Sequence, residues 1–387
     1  MTWYVSYDKL DSKQIEISNG IMRSLDHSHW VQGYAGTGKT LILTHAIERV
    51  AADRPDASLC YITYTHALKD MVASGLHGPV AERIKIETHT KFLSDRRRYD
   101  YVFLDEVQDI KPSDLDTIRS LAGSLIVAGD PEQSIYEDGA SEPQILSALK
   151  PQAWFLTQIF RLTPLLRKVA QVILPSSKIV EGLMANTSAN VTIRMGSFGD
   201  EGTEASWVWD EASKRARPGE PSVILFPTHK ALAGFSFELA RQLCIDTPPS
   251  ANVRDRRARD YSSFNEFWQE NGIKLQYLGN GHGSFAMGDQ HPIVYVMTFH
   301  SAKGLDFDNV FIPGMNEHAF FVDSRAIDRS PDLDRRLLFV AVTRSRKNLF
   351  ISYHGKRPHC LVGNLPQDAA VPVQPTVRAT YDIEDLF

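Results

Sequence analysis

A chain of 387 residues with 43% hydrophobic side chains can bury a sizeable core, most simply as two or three domains, which excludes a small disulfide-stapled module. A formal net charge of -5 excludes a wholly basic nucleic-acid coat and leaves room for a basic groove on one face. The three cysteines, Cys60, Cys244 and Cys360, are too scattered for a metal knuckle and too few for a disulfide framework, so they read as reduced and structural. The stretch "MTWYVSYDKLDSKQIEISNG" lacks an apolar core with a small-residue cleavage site, and no apolar run is long enough to span a bilayer. The expectation is a cytoplasmic protein with no membrane partner.

In chain order, "SHWVQ" (28–32) reads as a strand, 40–52 as a helix and "SLCYITYT" (58–65) as a strand. The strand "YDYVFLDE" (99–106) leads to a helix at 113–121, the strand "SLIVAGD" (124–130) and helices at 143–149 and 163–174. A second series follows: strand "SVILF" (222–226), helix 230–243, strands "IVYVMTF" (293–299) and "NVFIPG" (309–314), helix 332–345 and strand "NLFISY" (348–353). Several strands are apolar on both faces, as strands buried in a parallel sheet are, and the alternation with helices is α/β order repeated over two halves. Stretches at 246–260 and 279–292 read as surface loops, and "LPQDAAVPVQPT" reads as an extended linker.

Between the first strand and the first helix lies "GYAGTGKT", which satisfies G-x-x-x-x-G-K-[ST] through Gly33, Gly38, Lys39 and Thr40. In such a loop the backbone N–H groups of Ala35, Gly36, Thr37 and Gly38 hold phosphate oxygens at a helix N-terminus, Lys39 reaches the outer phosphates, and the Thr40 hydroxyl binds magnesium. The competing reading is a glycine turn that caps a helix. In "YVFLDEVQD", Asp105 and Glu106 end an apolar strand, where Asp105 can hold magnesium and Glu106 can activate water as general base. Paired acids at a strand end also occur as a solvated turn.

Seven further stretches follow a recognisable order: "LDSKQ", "TYTHALKDM" (63–71), "THTKF" (88–92), "GDPEQSIYEDGA" (129–140), "QIFRLT" (158–163), "MTFHSAKGLDF" (297–307) and "LDRRLLFVAVTRSR" (333–346). Together with the two acidic and glycine-rich elements they resemble a superfamily 1 helicase of the UvrD/Rep/PcrA type, from about Leu10 to Tyr353. The resemblance implies an α/β P-loop NTPase fold of two tandem RecA-like domains with mainly parallel sheets. It places a first domain at 1–156, a second at 157–358 and a linker with an acidic tail at 359–387. ATP with Mg2+ would sit between the domains and single-stranded nucleic acid, DNA before RNA, across their top.

The resemblance also assigns roles. Gln14 would read the adenine, Gln133 would sense the γ-phosphate, and Arg161 and Arg344 would join Lys39 around the triphosphate. Phe160 replaces the family's tyrosine on one adenine face, Leu41 its arginine on the other, and Gly304 with Asp306 would approach the ribose, Asp306 replacing a longer glutamate. Tyr64, Thr65, His66, His89, Tyr136, Thr298 and His300 would line the nucleic-acid channel, where aromatic faces stack on any base. Tyrosines that merely fill a domain edge with their hydroxyls wet, and structural histidines, are the competing readings. The expected activity is nucleic-acid-stimulated ATP hydrolysis driving 3′ to 5′ movement on single strands by a DNA helicase or translocase core. A nucleotide-gated binding switch, or an RNA-directed motor without unwinding activity, is the alternative. Only residues 66–98 separate the second strand from the "LDE" strand, where relatives insert a helical subdomain, so a minimal motor that acts with a protein partner is expected. "RRR" (96–98) and "RDRRAR" (254–259) read as solvated loops or a nucleic-acid surface, and "TYDIEDLF" at the C-terminus as a frayed end or a peptide that recruits a DNA repair or replication partner.

Overall fold

The computed structural model describes residues 3–185, 191–249, 261–319, 321, 331–366 and 371–373. "RDRRAR" and the acidic tail lie outside the described residues. Six strands form the first sheet: β1 (His29–Gly33), β2 (Leu59–Thr63), β3 (Ile84–Thr88), β4 (Tyr99–Leu104), β5 (Ala122–Gly129) and β6 (Gln152–Leu156). Their order is β3-β2-β4-β5-β1-β6 and every pairing is parallel. A short parallel pair, β7 (Gln158–Ile159) and β8 (Leu183–Met184), follows. The second sheet takes β9 (Thr192–Phe198), β10 (Ser222–Phe226), β11 (Leu275–Tyr277), β12 (Val294–Thr298), β13 (Phe307–Ile312), β14 (Ser345–His354) and β15 (Val371–Val373) in the order β11-β12-β10-β13-β14-β9-β15, again parallel throughout.

The apolar runs visible in the sequence are the inner strands. Every residue of β2, β10, β12 and β13 is buried, because helices cover both faces of these sheets. Strands β3, β6 and β9 escaped sequence reading because each has water on part of its surface. "IKIET", "QAWFL" and "TIRMGSF" interleave polar or exposed positions with buried ones and so lack a continuous apolar run. Two expected irregular stretches are partly regular. Within 279–292 the segment Phe285–Gln290 is helical, and within the expected linker Val371–Val373 pairs with β9. β15 is an edge strand, a place in a sheet where Pro372, which has no N–H, is tolerated.

Local signals set the helix starts. Asp11 accepts from the N–H groups of Lys13 and Gln14 while the Gln14 side chain accepts from Asp11, which begins the helix Ser12–Arg23. Thr163 caps Pro164–Ile173 with proline at the first helical position. Between β2 and β4 the chain forms only helix His66–Gly75, helix Pro79–Arg83, β3 and helix His89–Asp95, with no inserted subdomain. One apolar cluster runs from Val31 and Ile42 beside the first sheet through Leu162, Leu166 and Leu305 to Val310 and Leu349 in the second. Two satellite clusters cover the outer faces. Cys60 is buried, whereas Cys244 and Cys360 are exposed. Among the described residues no helix is long and apolar enough to cross a membrane.

The second sheet carries one buried ionic anchor. Glu204, on helix Glu201–Arg215, accepts from the Gly314 N–H (2.9 Å), the Ser352 hydroxyl (2.6 Å) and His354 Nδ1 (2.6 Å). Removing one partner strands the others, so Glu204→Ala should lower the unfolding free energy by about 3 kcal/mol in a urea titration. The bond to Glu204 raises the His354 pKa. A raised histidine pKa contributes stability that is complete below the ordinary imidazole value and disappears as pH climbs through the raised one, and this dependence should flatten in His354→Asn.

Candidate functional site

The glycine loop leaves the carboxyl end of β1, which lies between β5 and β6 in the first sheet, and the carboxyl ends of strands are where parallel sheets place their ligands. Gly36 has φ +78°, and a Cβ there would lie 2.8 Å from the Arg161 Cβ, so only glycine lets the strand pair after β6 close over the loop. The Lys39 ammonium donates to the carbonyls of Gly33 (2.8 Å) and Tyr34 (3.1 Å), folded back across the loop. Gln14 Nε2 donates to the Thr37 carbonyl (3.1 Å), and with Oε1 on Asp11 both ends of its amide are committed within the protein.

Neighbouring strands deliver the acids. Asp105 and Glu106 follow β4, and Asp130 with Gln133 follow β5. Thr40 Oγ1 and the Tyr61 hydroxyl both donate to Asp105 Oδ2, at 2.6 and 3.0 Å. Glu106 adopts a left-handed backbone (φ 55°) and its carboxylate accepts from Gln108 Nε2 at 2.6 Å. Burial works to raise the Glu106 pKa, but the charges of Lys303 and Lys39, the Gln108 amide and Arg344 outweigh it and hold it below its ordinary value. Burial, with the Glu106 charge beside it, pushes Asp105 the other way. The two carboxyls therefore differ in proton affinity through environment alone. Gln133 Nε2 donates to Asp130 Oδ2 (2.7 Å).

A cleft of about 530 Å³ opens between the sheets. Gln14, Ala35, Gly36, Gly38, Lys39, Thr40, Leu41, Glu106 and Gln133 line one wall, and Phe160, Arg161, Gly304, Asp306 and Arg344 the other. Gly33, Thr37 and Asp105 are buried behind this surface. Thus the expected nucleotide residues converge although they are scattered along the chain. Gly304 (φ +80°) is a point of close approach between the halves, since a Cβ there would meet Leu68 Cδ2 at 2.8 Å. Asp306 is not a free carboxylate: Arg346 Nε donates to it at 2.5 Å and Arg161 lies at 3.7 Å.

The cations are short of anions. Arg161 Nε is buried without a hydrogen-bond partner, and burial lowers the pKa of both Lys39 and Arg161. Arg344 donates only to the neutral oxygens of Val340 (2.8 Å), Leu305 (3.0 Å) and Thr343 (3.1 Å), and burial beside the Arg161 charge pushes its pKa down to about 9. A polyphosphate is the kind of group that restores these charges. Thr40 and Asp105 also present a hydroxyl and a carboxylate oxygen side by side, a donor pair that suits a hard divalent cation. Among the described residues no three His, Cys, Asp or Glu side chains form an all-protein metal cage, so phosphate and water oxygens would have to complete such a shell.

The expected channel residues divide. His89 stacks on Tyr64 (centroids 4.4 Å, planes 17° apart), Tyr64 lies 4.3 Å from Tyr136, and Tyr136 lies 5.5 Å from His300. These four rings form one row that crosses from the first half to the second. Thr65 caps helix His66–Gly75, and its hydroxyl accepts from the Leu68 N–H. His66 stands outside the row, beside Gly281. Thr298 is buried at the end of β12 and bonded to Ser301 Oγ (3.0 Å), so it is not brought to the row. Burial lowers the pKa of His66 and His89, which favours neutral rings over charge contacts with phosphates. The "RRR" run at 96–98 is fully on the surface.

Sequence reading missed Tyr61 and Gln108, which hold the two acids, and Arg346, which holds Asp306. It also passed over Lys303, 3% exposed, which bridges the halves. Tyr61 looked like one more apolar strand residue. Gln108, Lys303 and Arg346 stood inside quoted motifs, yet only packing shows what they touch.

Residues 85–153 match the UvrD/REP helicase N-terminal domain and residues 259–356 the UvrD-like helicase C-terminal domain. Each half of the chain thus carries a match to a UvrD-like helicase domain, and the paired parallel sheets are a RecA-like α/β architecture. It is 25% identical over 299 residues to F-box DNA helicase 1 of Gallus gallus, which covers 66% of this chain and 29% of that one. Over 99 residues it is 39% identical to DNA helicase II of Escherichia coli, covering 22% of this chain and 13% of the other. The chain therefore spans less than a third of the length of these curated relatives. The solved PRRSV helicase aligns over 87% of this chain and 54% of its own, with 13% identity and a TM-score of 0.41.

The glycine geometry makes a direct test. Gly36→Ala should weaken binding of a fluorescent ATP analogue by at least about tenfold, the result of moving a phosphate cradle off its position, while circular dichroism shows the fold retained. Unchanged affinity would show that the loop does not hold the nucleotide.

Proposed function

We propose that this chain is the motor core of a DNA helicase or translocase, in which single-stranded nucleic acid stimulates ATP hydrolysis in the cleft between the two sheets. The observation that carries this reading is the convergence of the glycine loop, Glu106, Gln133, Arg161 and Arg344 on one cleft built by both halves. The division is drawn at residue 156, with the second unit running to 358.

The N–H groups of the loop and Lys39 would bind the triphosphate, with Arg161 and Arg344 neutralising the charge that develops on the transferred phosphoryl group. Magnesium, held by Asp105 with Thr40, would supply further neutralisation of the phosphates. Glu106, held ionised by its cationic surroundings, would accept a proton from the attacking water, and Gln133 would position that water or the γ-phosphate. Phe160, 41% exposed in the cleft, offers a face to the adenine. The row His89–Tyr64–Tyr136–His300 would meet the bases, with 3′ to 5′ movement carried over from the family. The absence of an inserted subdomain between β2 and β4 supports a motor that needs a protein partner to separate duplex.

ATP turnover with and without single-stranded DNA or RNA tests the reading. Glu106→Gln should abolish turnover while a nucleotide analogue still binds. Arg344→Ala should lower kcat by about a thousandfold with modest loss of affinity, since its charge matters most in the transition state. A Glu106→Gln chain with normal turnover would overturn the assignment. Affinity for single strands should also fall as salt is raised, through release of counterions.

A further inference from the structure

The nucleotide cleft has an apolar wall that the proposed chemistry leaves unused. Val5 lines the cleft and is 37% exposed, so Val5 from the first half and Phe160 from the second are two apolar side chains that the fold leaves facing one space. Single exposed apolar side chains are ordinary on a protein surface. Two in one cleft, beside a phosphate-binding loop, make a place where a flat apolar group can be buried. Leu41 and Met71, both buried, belong to the same first-half wall as Val5.

Val5 is held in place from both sides. Trp3 packs on Gly75 at the end of helix His66–Gly75, where a Cβ would overlap its ring, and its indole N–H donates to Ser74 Oγ (3.3 Å). The Tyr4 hydroxyl donates to Glu48 Oε2 (2.6 Å), and His45 Nε2 donates to the Val5 carbonyl (2.9 Å). Both of these partners lie on Lys39–Asp53, the helix that the glycine loop opens. Further on, the Tyr7 hydroxyl donates to Asn19 Oδ1 (3.1 Å) on helix Ser12–Arg23. The segment is thus tied to three helices, and of residues 3–7 only Val5 is exposed. An apolar contact whose backbone is already fixed loses little freedom when a ligand meets it.

We propose that residues 3–9 form a strap that makes Val5 the nucleobase contact opposite Phe160, so that the N-terminal segment sets the preference of the cleft for purine nucleotides. Val5, Leu41, Met71 and Phe160 present no strong donor or acceptor to a base edge, and both ends of the Gln14 amide are engaged inside the protein. What such a slot measures is flat apolar area, of which a purine presents more than a pyrimidine. The idea rests on the proposed function, because it presumes a nucleoside triphosphate with its phosphates on the Lys39 loop.

The test measures steady-state turnover of ATP and CTP by the full chain with an oligo-dT strand present, and inhibition by inorganic tripolyphosphate, which has the phosphates and no base. Val5→Ser should raise KM for ATP about fivefold with kcat unchanged, the loss of an apolar contact made equally in the ground and transition states. The ratio of kcat/KM for ATP over CTP should shrink, while inhibition by tripolyphosphate stays as in wild type. Val5→Leu, which keeps the apolar surface, should keep the wild-type KM. Trp3 acts through Val5 as a positioning residue, so Trp3→Ala should raise KM for ATP and reduce the purine preference, again with kcat and tripolyphosphate inhibition unchanged. If Trp3→Ala fails to fold, Val5→Ser, at an exposed position, still decides. An unchanged KM for ATP in Val5→Ser overturns the base contact and leaves the motor reading intact. An equal loss for ATP and tripolyphosphate overturns it too, since the strap would then act on the phosphate loop. A wild-type chain that neither binds nor hydrolyses a nucleoside triphosphate overturns both readings.

Discussion

Charge is taken out of water at the seam between the two sheets, and almost every functional feature follows from how it is balanced. Lys39, Arg161, Lys303 and Arg344 are all buried or nearly so, as are Asp105, Glu106, Asp109 and Asp130. Neither half holds a neutral set. Glu106 and Asp109 belong to the first half, while the ammonium that stands nearest to them comes from the second. Separating the halves would expose or strand these groups, and bringing them together leaves Arg161 Nε unsatisfied and Arg344 bonded only to neutral oxygens. Such a seam is stable enough to form and incomplete enough to take an anion, the balance a nucleotide-closed cleft requires.

Topology explains why these side chains meet. The first sheet presents the carboxyl ends of β1, β4 and β5, where loops are free to carry phosphate-binding and acidic residues. The second sheet offers the amino ends of β13 and β14 to the same cleft, through Asp306 before Phe307 and Arg344 before Ser345. Meanwhile the carboxyl end of β12 supplies His300 to the ring row. Residues 299–306 serve both places because they run from the carboxyl end of β12 to the amino end of β13.

The departures from the family now have physical surroundings. Leu41 lines the cleft as a largely buried apolar side chain, and Phe160 is an exposed aromatic ring in the same cleft. Asp306 is a short carboxylate that already holds Arg346 and faces Arg161, so its charge offsets those two neighbouring cations.

Much was legible in the amino-acid sequence because it depends on local chemistry. A glycine loop between an apolar strand and an amphipathic helix, an acidic pair ending a second apolar strand and the inner strands buried on both faces all leave their pattern within a few neighbouring residues. Strands β3, β6 and β9 left no such pattern because part of each is exposed, and β15 hid in a proline-containing stretch that pairs with β9 as the edge of the second sheet. What the sequence could not determine was partnership. Whether Tyr61 bonds Asp105, whether His89, Tyr64, Tyr136 and His300 stack in one row, and whether Lys303 reaches Asp109 depend on distances between residues far apart in the chain. Hydrophobic periodicity places a side chain on a face of its own strand or helix. Only the packing of one sheet against the other decides which charge lies within 4 Å of it, and at that separation, away from water, the Coulomb energy is large enough to set what the site can do.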